Sequence, residues 1–188
     1  EVFNRKYQSK KPDGMSDWDR YREHSALFAE FSKIVCISIG RYKEDNNVAG
    51  FKVRSYYHED ELTLLKDFLD TISWFDPTVW RLWGHNIKWF DISWIAKRLI
   101  INWLKVPTML NVLWKKPREI QHIDTQEVRQ FGRNVSTSLE VMCISLGIDT
   151  PKWDMNGQKV KTVFYDPTLS SEEKEKIITD YCWWDVVA

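Results

Sequence analysis

The sequence predicts a mixed α/β fold in a single domain over residues 1–188. Three features carry that expectation. A nearly continuous apolar run at 33–42 is followed, across a turn cluster, by a segment that alternates apolar and charged residues. Longer segments then repeat apolar residues every three or four positions, the spacing of amphipathic helices. Short apolar runs separate those helices, so strand and helix alternate along the chain.

Residues 1–24 are charged and carry Lys10-Lys11-Pro12-Asp13-Gly14, a loop signal, and read as a surface excursion. Residues 25–31 read as a short helical turn. Ile34, Val35, Ile37 and Ile39 mark a buried strand at 33–42. After the turn cluster Glu44-Asp45-Asn46-Asn47, Phe51 and Val53 alternate with Lys52 and Arg54 in a partner strand at 50–57, making an antiparallel hairpin. Leu62, Leu65, Phe68, Leu69 and Ile72 form the apolar stripe of a helix at 59–75, which Asp76-Pro77 ends. Residues 78–83 read as a strand. Ile92, Ile95, Leu99 and Trp103 line one side of a helix at 91–104. Residues 106–117 form a connection, and 120–124 a short strand. One or two helical turns at 126–131 stop at Gly132. A helix at 137–146 has its cap at Ser136 or Thr137 and its stop at Gly147. Asp154-Met155-Asn156-Gly157 reads as a turn, because the later ligands of a calcium loop are absent. Ser170 or Ser171 caps a last helix at 170–188, with acidic residues in its first turn.

A chain of 188 residues is long enough to bury a sizeable core. Lys plus Arg equals Asp plus Glu at 27 each, so net charge gives no sign of a nucleic-acid binder, while leaving local patches open. The three cysteines, Cys36, Cys143 and Cys182, lie in apolar runs without metal-ligand spacing. Their odd number argues against a disulfide framework and suits a reducing compartment. The sequence shows neither a signal peptide nor an apolar stretch of membrane-spanning length, which makes the cytoplasm the default expectation.

Two short motifs carry the chemistry. Gly84-His85-Asn86-Ile87-Lys88-Trp89-Phe90-Asp91 places Asp91 at the seam between a strand and a helix. A carboxylate there also suits a simple helix cap. Tyr181-Cys182-Trp183-Trp184-Asp185 lies on the last helix, where Tyr181 and Asp185 share one face, a turn apart. Alone, that pair equally describes a buried Tyr beside a surface Asp. The order of the two motifs, about 90 residues apart, is the stronger signal.

Together the motifs resemble the DEDD superfamily of 3′-5′ exonucleases, in its Tyr-bearing subclass. More closely, the chain is similar to the predicted 3′-5′ exonucleases related to the proofreading domain of family B DNA polymerases. Asn-x-x-x-Phe-Asp and Tyr-x-x-x-Asp match the second and third exonuclease motifs. Further likeness runs through Glu30 to Ser38, Lys116-Pro117, His122-Ile123-Asp124-Thr125, Thr137-Ser138-Leu139-Glu140 and Leu146-Gly147-Ile148. The His-bearing subclass would carry a His where this chain has Asp180.

The resemblance implies an RNase H-like mixed sheet flanked by helices, and two divalent cations, Mg²⁺ or Mn²⁺, in the site. Hard ions of this kind take carboxylate oxygens. It assigns Asp91 and Asp185 as metal ligands, Tyr181 as the residue orienting the attacking water, and Asn86 and Phe90 as the pocket for the 3′-terminal nucleotide. The partner that the resemblance implies is nucleic acid, single-stranded DNA. The first motif, an Asp-x-Glu on the first strand, has no counterpart ahead of residue 33. Asp17-Trp18-Asp19 has the carboxylate spacing but a polar, strand-poor context. These features read as an internal piece of a longer protein that lacks its first strand, weakly stable and inactive by itself. The alternative is a catalytically inactive relative that binds nucleic acid or a protein. The absent Asp-x-Glu and the Trp residues beside Asp185 favour it. His122 and Asp124 read as structural, the Asp fixing the following turn and the His packing or hydrogen-bonding.

Overall fold

The computed structural model describes residues 2–6, 14–45, 48–130, 136–149 and 157–187. Two short helices open the chain, α1 (Val2–Lys6) and α2 (Asp17–His24). The Ser16 hydroxyl caps α2 by accepting the Asp19 amide at 3.1 Å. Asp17 and Asp19 therefore occupy a helical first turn and not a strand. Phe3 is buried against the ring edges of Tyr21, Phe28 and Phe31 at 5.2–5.7 Å, so aromatic packing ties α1 to the segment entering the sheet. The expected turn at 25–31 is a 3-10 turn at Ser25–Leu27.

The hairpin forms as the alternation predicts. Strand β1 (Cys36–Asp45) pairs antiparallel with β2 (Val48–Tyr57), in register from Cys36↔Tyr57 to Asp45↔Val48. Its two faces serve different helices, because successive side chains point opposite ways. Ile37, Ile39 and Tyr56 face helix α3 (Glu61–Ile72), and the Tyr56 hydroxyl donates to Thr71 Oγ1 at 2.6 Å. Asp60 caps α3 by accepting the Thr63 amide at 2.9 Å, which trims the helix expected at 59–75 from its start.

Beyond α3 come β3 (Trp83–Gly84), α4 (Asp91–Ile101), β4 (Ile123–Asp124), α5 (Thr125–Gln130) and α6 (Leu139–Leu146). Helices α7 (Gly157–Phe164) and α8 (Ser171–Val187) complete the chain. Strands β3 and β4 pair in parallel, Trp83 opposite Ile123 and Gly84 opposite Asp124. Among the described residues the strands form two two-stranded sheets. The fold is thus mixed α/β, with small sheets flanked by helices.

The core lies between α3, α4 and the inner face of the hairpin, with Leu64, Leu65, Ile72, Ile92 and Leu99 essentially sealed from water. The connection at 106–117 contributes Met109 and Leu110 from a 3-10 turn, Thr108–Leu110. One ionic knot crosses this core. Arg98 on α4 donates to both carboxylate oxygens of Glu61 on α3 and to the Ala29 carbonyl, while Glu61 also accepts the Ile34 amide at 2.7 Å. Each charge is buried and fully engaged, the condition under which such a pair is tolerated.

Helix α8 covers the other face of the hairpin. Val186 packs so closely on Gly40 that a Cβ there would lie 2.9 Å from Val186 Cγ1 and 2.3 Å from the Phe51 ring. One turn earlier, Cys182 contacts Cys36 through its sulfur. Ser170 and Glu173 form a capping box at the start of α8, the Ser170 hydroxyl accepting the Glu173 amide and Glu173 accepting the Ser170 amide at 2.8 Å.

Several local expectations change. The apolar run at 78–83 starts as a turn, because Asp76 accepts the Thr78 amide and hydroxyl, and continues as irregular chain through Leu82; only Trp83 and Gly84 form a strand. The cap of α6 is Ser138, one residue past Thr137, and Gly147 ends it at φ 68°, as expected of a C-terminal stop. Helix α4 stops at Ile101 with Trp103 at φ 57° and the Leu104 amide reaching the Leu99 carbonyl at 2.9 Å. Helix α7 was not foreseen. Residues 10–13 of the first loop signal, Asn46 and Asn47, residues 131–135 and residues 154–156 lie outside the described residues.

Candidate active site

The loop between β3 and α4 carries the first motif, and its shape is set from β4 and α5. Gly84 brings the chain in where a side chain would crowd Ile87, whose Cδ1 would lie 3.1 Å from an added Cβ. Asn86 then takes φ 58°, a conformation that asparagine tolerates better than most residues. Phe90 returns its amide to the Asn86 carbonyl at 3.0 Å, and Ile92 to that of Ile87 at 3.0 Å, which starts α4. Phe90 holds the cap position without a side-chain cap, and Asp91 is the first helical residue.

Residues 122–127 form a template beneath this loop. The His122 Nδ1 accepts the Leu82 amide at 3.1 Å, so its Nε2–H donates to the Met109 carbonyl at 2.9 Å. Burial lowers the His122 pKa, in keeping with this neutral tautomer. Asp124, 2% exposed, accepts three backbone amides: Asn86 at 2.8 Å, Lys88 at 3.1 Å and Gln126 at 3.0 Å. His85 lies 3.0 Å from the Thr125 hydroxyl and 2.7 Å from the Thr137 carbonyl. The Lys88 ammonium, buried, meets Glu127 at 2.8 Å. The structural reading of His122 and Asp124 holds, and Asp124 shapes the motif loop as well as its own turn.

The second motif arrives on α8. Tyr181 and Asp185 lie one turn apart on one face of α8. Burial, and then the neighbouring Asp185 carboxylate, raise the Tyr181 pKa, so the phenol keeps its proton. Asp185 also lies near enough to Asp91 for its charge to be felt there. The folded chain thus brings Asp91, Asp124 and Asp185 into one neighbourhood.

Asp91 opens to solvent on one side while protein crowds it on the others. That crowding, and then the charges of Asp124 and Asp185, push its carboxyl up to about 6, against a local backbone hydrogen bond that pulls it down. Withdrawal from water and like-charge repulsion both favour the protonated form of a carboxylate.

The donor chemistry of Asp91 and Asp185, hard carboxylate oxygens, is of the kind that Mg²⁺ or Mn²⁺ takes. Asp124 spends its oxygens on backbone amides. Among the described residues, no group of three His, Cys, Asp or Glu side chains is arranged to hold a metal.

Aromatic side chains surround the two motifs. Trp89 and Phe90 are exposed next to Asp91. Trp183 and Trp184, also exposed, meet edge to face at 4.9 Å beside Asp185. Asn86 is half-buried in the loop, its amide held by Asp124. Reasoning from the sequence missed the part that residues 122–127 play in holding the loop. The only signal was the His-x-Asp-Thr string at a strand end, which has no fixed meaning until its partner strand is known.

No described helix is long and apolar enough to cross a membrane. No curated protein and no solved structure matches the chain. Residues 25–188 match the family described as predicted 3′-5′ exonuclease related to the exonuclease domain of PolB, and the chain belongs to that family.

Proposed function

We propose that this domain serves a metal-dependent 3′-5′ exonuclease acting on single-stranded DNA ends by a two-metal mechanism on an RNase H-like fold. The single observation that carries the reading is the convergence of Asp91 and Asp185 from two motifs far apart in sequence, with Asp91 pushed up to about 6. Family membership supports a nucleic-acid substrate. Divalent cations, when bound, supply an activated water and stabilise the leaving 3′-oxygen.

The chain's own residues do the rest. Asp91 and Asp185 offer oxygens to the ions. Tyr181 keeps its phenolic proton and, from its place beside Asp185, orients the attacking water. Asn86 and Phe90 line the pocket for the 3′-terminal nucleotide, where the exposed Phe90 ring offers a stacking face. Asp91 and Asp185 supply too few oxygens to hold two dications firmly, so turnover by these 188 residues is slow or absent.

One observation favours a second reading, a non-catalytic binder of nucleic acid or protein: the exposed Trp183–Trp184 pair beside Asp185, in a region where no three ligand side chains are grouped among the described residues. A degradation assay on 5′-labelled single-stranded DNA with Mg²⁺ or Mn²⁺, comparing the chain with Asp185→Ala, tests both. Divalent-dependent DNA binding that the variant weakens supports the enzyme with slow or absent turnover; shortening from the 3′ end that vanishes in the variant also supports the enzyme, and shows that these residues supply a further metal ligand. Shortening that persists in the variant, or that begins at the 5′ end, refutes the assigned site. DNA binding without shortening, unchanged in the variant, selects the second reading.

A further inference from the structure

We infer that Asp124 is a positioning residue of the site: by holding the Asn86 and Lys88 amides, it sets the loop that delivers Asp91 opposite Asp185. This deepens the proposed reading and rests on it for the role of Asp91. The geometry is direct. One carboxylate, 2% exposed, receives two amides from the motif loop and one from its own α5, so it couples β4 and α5 to the loop through a single side chain. The loop includes Asn86 at φ 58°, a left-handed turn that its Asp124-held amide helps to fix. Three residues past Lys88 the chain reaches Asp91, and the bonds of Phe90 to Asn86 and Ile92 to Ile87 transmit the loop's shape into the start of α4.

Ionised carboxylate is the group that this position needs. It is acceptor-only, so three amides can point at its two oxygens without conflict. An asparagine would keep one oxygen, able to serve Asn86 and Gln126, which share Oδ1. Its amide nitrogen would then face the Lys88 N–H, donor against donor. Asp124→Asn therefore removes one defined bond and leaves the shape and volume of the side chain.

The test is residue-resolved amide hydrogen exchange on metal-free chain, with Mn²⁺ affinity measured by electron paramagnetic resonance and global unfolding by urea. In Asp124→Asn, exchange of the Lys88 amide rises at least about tenfold, and Phe90 and Ile92 follow, while Leu65 and Leu99 in the core keep their protection. Mn²⁺ affinity falls on the order of 10- to 100-fold, the usual effect of losing a group that orients a metal ligand. Unchanged exchange at Phe90 and Ile92 overturns the inference, and so does Mn²⁺ affinity within about twofold of wild type while those amides speed up.

Should Asp124→Asn fail to fold, the wild-type chain still decides. Asn86, Lys88 and Gln126, tied to one carboxylate, show a common protection there; unprotected Asn86 and Lys88 amides overturn the inference. Failure of wild-type chain to bind Mn²⁺ refutes the metal reading of Asp91, and the exchange pattern then judges Asp124 separately.

Discussion

Asp91 is the residue whose replacement distinguishes a functional carboxylate from a helix cap. Its carboxyl rises from 3.8 to about 6 in the folded chain, with burial the largest cause. A raised acid pKa means that the folded state prefers the protonated form. The penalty is absent below pH 3.8, grows as pH climbs through the interval, and is complete above about 6. Roughly two units at about 1.4 kcal/mol each correspond to ~3 kcal/mol for a carboxylate sealed from solvent. Asp91 is open to water on one side, and screening reduces that figure to about 1 kcal/mol. Asp91→Asn relieves the penalty, so in metal-free buffer at pH 7.5 the variant is the more stable by ~1 kcal/mol. Urea unfolding reads this as a midpoint higher by ~0.5 M, for a slope of about 2 kcal/mol/M. At pH 4.5 the gain falls below half of that, because Asp91 is then largely protonated in the folded chain. Adding Mn²⁺ reverses the order, since a cation that binds only the folded wild type stabilises it. A variant that is less stable than wild type at pH 7.5 without metal would refute the reasoning and return Asp91 to the role of a first-turn charge.

Glu61→Gln leaves Arg98 buried without its counter-charge and costs about 3–5 kcal/mol of stability, measured by urea unfolding at pH 7. Burial raises the Glu61 pKa, but hydrogen bonds from Arg98, the Ile34 amide and Asn102 together outweigh it and leave it below 4.5. The stability it contributes is therefore complete above pH 4.5 and is lost as pH falls through the folded-state value; the variant lacks this acid-side decline. Gly40→Ala forces Phe51 and Val186 aside and costs about 1–3 kcal/mol, read as a lower Tm. Because Val186 follows Asp185 on α8, the same substitution weakens Mn²⁺ binding; an unchanged affinity would show that α8 moves without disturbing Asp185.

The elements most legible in the sequence are those whose signal is local. The hairpin, α3 and α4 follow from periodicity, because an amphipathic segment of ten or more residues has one way to bury its apolar side, and α8 follows from its capping residues and acidic first turn. The strand at 78–83 misled for the same reason in reverse: Asp76 closes a turn with two hydrogen bonds to Thr78, a local chemistry that outweighs an apolar pattern. Helix α1 and its aromatic cluster were hidden because Phe3 acquires its meaning only from Tyr21, Phe28 and Phe31.

The sequence by itself determined the family and the two motifs, with the residues that occupy them, since residue type and spacing along one helix or loop are properties of the chain alone. Tertiary structure decided what those residues experience. Asp91 and Asp185 repel each other because α8 packs on the hairpin through Gly40 and Cys36. Asp124 holds the motif loop because β4 lies parallel to β3. Both relations join residues 36 or more positions apart. A pKa and a loop shape depend on distance in space, and separations of that size along the chain specify no distance until the chain has folded.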